Sequence, residues 1–106
     1  MASFYNKPVK NLDTSSVVHL TSALNSTIIL SILVCNTDGS SDTDVTVSLL
    51  NSSSVLQAKL ASTITVPADA NVEILANKLI LPSGQKLAFA ASTSGKLDVS
   101  MSYVEV

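Results

Sequence analysis

Short runs in which apolar and polar residues alternate, cut by clusters of Ser, Thr, Asn, Asp, Gly and Pro, recur along this chain at intervals of roughly 8–12 residues. A period of two puts every second side chain on one face of a pleated strand, whereas a helix needs a period near 3.6. The clearest case closes the chain: after Lys96, Leu97, Val99, Met101 and Tyr103 face one way, and Asp98, Ser100 and Ser102 the other. Asp44 to Asn51 repeats the scheme, with Val45, Val47 and Leu49 inward and Thr46 and Ser48 outward. In Lys86 to Ala91, Leu87 and Phe89 point inward with small Ala residues between them.

The remaining segments fit the same plan. Ser3 to Lys10 contains Pro8, which cannot donate to a ladder, so residues 1–15 are expected as an N-terminal arm or edge strand ahead of a domain over 16–106. Ser16 to Thr21 is a short strand. Ser26 to Asn36 (STIILSILVCN) is apolar on both faces and reads as a central strand covered on both sides. Thr37 to Asp42 is a hairpin connection in which Asp38-Gly39 supplies positive φ. Val55 to Val66 admits one long bent strand, a strand with an irregular break, or a helix over 55–61, where Ala, Leu, Gln and Lys are good helix formers. Val72 to Ala76 and Leu79 to Leu81 are strands, and Pro82-Ser83-Gly84 is a turn. Seven to eight strands without intervening helices predict an all-β, antiparallel β-sandwich, immunoglobulin-like or jelly-roll-like.

The surface implied by this plan is unusual. Hydrophobic residues make up 46% and charged residues only 13% of the 106 residues, about half the ordinary charged share. Mean hydropathy is +0.43. Charge keeps soluble surfaces apart, so a chain this poor in it is expected to hide part of its exterior in an assembly. Ile29, Leu33, Leu50, Val104 and Val106 fall on strand faces opposite the presumed core. With Phe4 and Tyr5 on the N-terminal segment they are the expected partner contacts.

Other classes find little support. All six positive residues are Lys, net charge is −2 and aromatics are 4%, so nucleic acid is not expected as a partner. No run approaches the roughly 20 apolar residues of a membrane helix, and the N-terminus lacks the apolar stretch of a signal peptide, so neither a membrane nor a secretory route is expected. One cysteine, Cys35, precludes an internal disulfide and an intrachain zinc site, and reads as a small buried hydrophobe. The single histidine, His19, has no Gly-x-Ser-x-Gly elbow to serve, so no enzyme is expected and no catalytic residue or cofactor is assigned. Asp38, Asp42 and Asp44 offer oxygen ligands for calcium, but without EF-hand spacing the segment reads as a solvated loop. Asn25 and Asn51, each in a glycosylation-type triplet, read as turn residues.

The second half, TITVPADANVEILANKLILPSGQKLAFAASTSGKLDVSMSYVEV, orders a strand, Val-Pro, a polar turn and a Val-Glu-Ile strand. It continues through Leu-Ile-Leu, a Pro-Ser-Gly-Gln-Lys turn and an Ala-rich strand to a closing Asp-Val-Ser-x-Ser-Tyr-x-Glu. With STIILSILVCN and VTVSLLNS upstream, this resembles the small β-sandwich virion structural proteins of tailed bacteriophages, over roughly residues 16–106. The resemblance implies a capsid decoration or cement subunit bridging coat subunits. A neck or tail-associated subunit is the alternative, and a ligand-binding sandwich a more distant one. It implies the major capsid protein or neck and tail subunits as partners, a homo-oligomer, and residence in the virion after synthesis in the host cytoplasm. Residues 1–10 and the strand Val99 to Val106 are expected to touch partners, with strand addition across chains using a free edge.

Overall fold

The computed structural model describes residues 2–23 and 25–106. Among these residues there are nine strands and no helix: β1 (Ser3–Val9), β2 (Val17–Thr21), β3 (Thr27–Asn36), β4 (Thr43–Leu50), β5 (Leu56–Val66), β6 (Asn71–Glu73), β7 (Leu79–Leu81), β8 (Lys86–Ala91) and β9 (Leu97–Glu105). Every pairing is antiparallel.

The winding follows from a folded ribbon. Strands of the first half pair with their mirror partners in the second: β1 with β9, β2 with β8, β3 with β6 and β7, and β4 with β5. Rolled up, the ribbon gives a first sheet ordered β1-β9-β3-β6, with β7 beside β6 on β3, and a second ordered β2-β8-β4-β5. Counting β6 and β7 as one interrupted strand leaves eight, wound as a jelly roll. Of the two windings the sequence allows, the pairing selects this one.

The clean alternations are the core. Val45 and Val47 of β4, Leu87, Phe89 and Ala91 of β8, and Leu97, Val99 and Met101 of β9 are buried between the sheets. Full burial of each large side chain contributes about 1.5–3 kcal/mol. Leu12 is also buried in this core, and β1 is a full strand of the first sheet. β1 lies at the edge of that sheet, the second of the two forms expected of residues 1–15. Met1, at the head of that expected arm, lies outside the described residues.

Two expectations need correction. Ile29 does not face away from the core: it is fully buried within it. β3 carries a bulge between Ile29 and Ser31, where Leu30 is the extra residue facing β9. Inserting one residue reverses the facing of everything beyond it, so Ile29 and Ile32 both point inward. Of the forms open to Val55 to Val66, the strand is the one found, over Leu56–Val66, with register shifts facing β4 and a positive φ of 49° at Thr63. Gly39 is not a positive-φ residue; Gly84 and Gly95 are, at 85° and 78°. The 37–42 loop is instead tied by polar contacts, with Asp38 N–H donating to Asn36 Oδ1 and Asp69 N–H to Asp38 O.

β6 is shorter than expected because the β3 bulge disrupts the ladder beside it. Glu73 bridges the gap: one carboxylate oxygen accepts the Ile32 N–H at 2.7 Å and the Leu75 N–H at 3.2 Å. A side chain here takes the place of a missing backbone partner, and Ile74 N–H still donates to Ile32 O.

Candidate interaction face

Because Ile29, Ile32 and Val34 point inward, Ile28, Leu33 and Cys35 point out of the first sheet. Cross-strand pairing aligns their neighbours into rows. Phe4 pairs Val104, Val104 pairs Ile28, and Ile28 pairs Ile80, so an apolar row crosses the whole sheet. Its ends project, with Phe4 75% and Ile80 64% exposed. Val104 is covered by its neighbours yet stands outside the core cluster. A polar row follows, Asn6, Ser102 and Ser31, in which Asn6 Nδ2 donates to Ser100 Oγ and Met101 O. The third row is Pro8, Ser100, Leu33 and Glu73, with Leu33 37% exposed. There a shallow groove of about 300 Å³ opens, lined by Pro8, Lys10, Leu33, Cys35, Asp98 and Ser100 among others.

The carboxylates of this face are held within the chain, while the exposed Lys10 lines the groove. The Glu73 carboxylate is bound to backbone N–H groups, and Asp98 accepts the Asn11 N–H at 2.9 Å. The outer face of the second sheet differs: Lys59, Lys86 and Asp44 stand on it among Thr46, Ser48, Ala88 and Leu50.

Free edges are a separate kind of surface. Leu12 N–H donates to Leu97 O on one side of β9, and Thr37 N–H to Lys96 O on the other. Backbone groups alternate along a strand, so Ser100 points to β3, and its partner Pro8 turns its ring nitrogen to the free side of β1. That edge therefore lacks one donor, a device that discourages strand addition. β9 lies between β1 and β3, so the closing strand offers no free edge, contrary to expectation.

The structure thus unites Phe4, Val104 and Leu33 on one face. It places Ile29 in the core, Leu50 on the opposite sheet, and Val106 at the exposed end of the chain. Tyr5 stacks on Tyr103 at the rim between β1 and β9, centroids 5.4 Å apart. Burial raises the Tyr103 pKa, aided by Glu105 and Tyr5. Ile28, Ile80 and the groove were missed. Ile80 was within reach, since in a strand it must face opposite Leu79 and Leu81; Ile28 was hidden by the bulge. Cys35 is half-buried beside the groove and not in the core.

The other candidates are dispersed. His19 sits at the irregularity of β2, its ring 5.9 Å from Phe89, and its pKa is lowered by burial and by Lys7. Asp38 is held below the usual carboxylate range by the backbone and hydroxyl of Ser40, with Lys96 ion-paired at 3.4 Å. Asp42 accepts the Ala68 N–H and Asp44 the Thr65 hydroxyl, each turned to its own partner. Among the described residues no three His, Cys, Asp or Glu side chains gather closely enough to hold a metal ion. Asn51 accepts from Ser53 and Val55 N–H groups as a turn residue.

No family model matches the chain, and no curated protein matches it in sequence. The fold is similar to a chain of Bacillus endospore appendages, described as a novel family of disulfide-linked pili. The TM-score is 0.59 at 6% identity, covering 99% of this chain and 88% of that one. It is also similar to VP2 of the infectious bursal disease virus subviral particle, with TM-score 0.51, 14% identity, and 99% and 32% of the two chains covered. A chain of the T13 particle of that virus gives 0.52 and 12%, covering 97% and 30%. This chain spans about a third of those viral chains. The shared property is the fold.

Proposed function

We propose that this chain is a non-catalytic structural subunit of a bacteriophage virion, a capsid decoration or cement protein that bridges coat subunits. The observation that carries the reading is the outer face of the first sheet, where Phe4, Ile28, Ile80 and Leu33 stand outward and the carboxylates are already bound within the chain. Apolar surface of this kind is stabilised by removal from water, at about 25 cal/mol per Å² before the cost of association. The low charge of the chain and its resemblance to small virion proteins support the same reading. So does the fold it shares with proteins that build pili and viral particles.

A cement subunit acts mechanically: a rigid sandwich held against two neighbours adds contacts that must break before they separate. The test compares particles made with and without the chain, by cryo-electron microscopy and by heating to rupture. Density on the head, and rupture at lower temperature without it, is the expected result. An unchanged head and no density on any part of the particle overturns the reading. Neck or tail placement is the second reading, favoured by the likeness over nearly the whole length of a pilus chain; density at the neck or tail selects it.

A further inference from the structure

We infer that the outer face of the first sheet pairs with the same face of a second copy of this chain, the strands of the two copies running antiparallel. The inference rests on the reading of the chain as an assembly subunit and specifies one of its contacts.

The edges argue for a face. β1 has Pro8 on its free side, β2 is short and irregular, β5 is broken by register shifts, and the far side of the first sheet is the split pair β6 and β7. Each is a poor template for another strand. Of the two faces, the outer face of the second sheet carries two lysines, Lys59 and Lys86, beside Asp44. A like copy would have to desolvate both ammonium groups, although Lys86 donates to Ser54 Oγ and Asp44 accepts the Thr65 hydroxyl. On the first sheet Glu73 and Asp98 are already bonded to backbone N–H groups, and the exposed Lys10 stands at the end of the groove, beyond the three rows.

The relief of the face argues for a second copy. A two-fold contact requires a surface that complements itself. Here a projection and a groove share one face: the Phe4–Val104–Ile28–Ile80 row stands on one side of the polar Asn6–Ser102–Ser31 row, and the groove at Pro8 and Leu33 on the other. Along β1 the two are separated by four residues, about 13 Å. A two-fold axis lying along the polar row lays the apolar row of each copy over the third row of the other. Phe4 then meets the partner's groove, and Ile28 faces Leu33 across the axis.

The size of the face sets the strength. Four strand lanes by seven residues cover about 20 × 23 Å, or roughly 900 Å² over both copies. That is below the standard size of a stable complex, so the expected dimer is weak, with Kd on the order of 10–100 μM. Repetition on a lattice would strengthen it.

Sedimentation of the full chain from about 5 μM to 1 mM tests this. Dimerisation is expected, weakened at least tenfold by Phe4→Asp or Leu33→Asp and unchanged by Leu56→Asp on the other sheet. Ile28→Lys combined with Leu33→Asp restores pairing lost in either single variant, because each lysine then meets an aspartate of the other copy. Circular dichroism of each variant confirms folding. A wild-type monomer at 1 mM overturns the inference, as does a dimer insensitive to Phe4→Asp and Leu33→Asp, or failure of the charge pair to recover. A monomer found in virions sinks the pairing and leaves the subunit reading standing; a dimer present in no particle does the reverse.

Discussion

Asn36 is a polar side chain that the core depends on. It is buried at the end of β3, where Nδ2 donates to Ser41 O at 2.9 Å and Val66 O at 3.0 Å while Oδ1 accepts the Asp38 N–H. Asn36→Ala strands the buried Val66 carbonyl and frees that of the exposed Ser41, so a loss of about 1–3 kcal/mol is expected in denaturant unfolding. His19 carries a pH dependence of known sign. Burial and Lys7 lower its pKa below the ordinary 6.5, so the unfolded chain takes the proton first. Its contribution to stability is complete above pH 6.5 and is lost as pH falls through the lowered value. Melting temperature should drop over that interval in the wild type and stay level in His19→Gln. At this scale the sequence was readable wherever alternation ran unbroken, as at Val45, Val99 and Leu87. It misled at Ile29, because facing depends on a bulge formed with β9, and at Gly39, where side-chain and long-range hydrogen bonds replace the glycine turn.

Among the elements, β3 decides how the first sheet presents itself. Its bulge turns Ile29 and Ile32 into the core and leaves Ile28 and Leu33 outside. Adjacent substitutions should therefore differ sharply: Ile29→Ala costs about 2–5 kcal/mol as a core cavity, and Ile28→Ala about 1 kcal/mol or less. Equal costs in urea unfolding would place the bulge elsewhere. Glu73 holds the interrupted β6–β7 lane by accepting the Ile32 N–H. Glu73→Ala should raise the exchange rate of the Ile32 amide by tenfold or more while the β4 amides, in the other sheet, exchange as before. β4, β8 and β9 were legible from their period of two. β5 was not, because its register shifts and the positive φ of Thr63 blur the period into one that a helix also matches.

For the whole molecule, the sandwich was legible and its winding was not. Strand count and alternation are local properties, and immunoglobulin-like and jelly-roll orders share them. Which strand lies beside which is fixed by pairings between distant segments, such as Ser3–Val9 with Leu97–Glu105. Those same pairings assemble the Phe4–Val104–Ile28–Ile80 row from four separate stretches of chain, so the face could not be seen before the fold. A surplus of apolar side chains was visible in composition; the alignment of four of them in one row across the first sheet was not. Hydroxyl-radical footprinting of the chain in virions against the isolated dilute chain tests this most directly. Protection concentrated at Phe4, Ile28, Leu33 and Ile80, with Val18 and Leu56 of the second sheet labelled equally in both states, is the predicted result. Protection of Val18 and Leu56 with the first sheet fully labelled, or no protection anywhere, would contradict it.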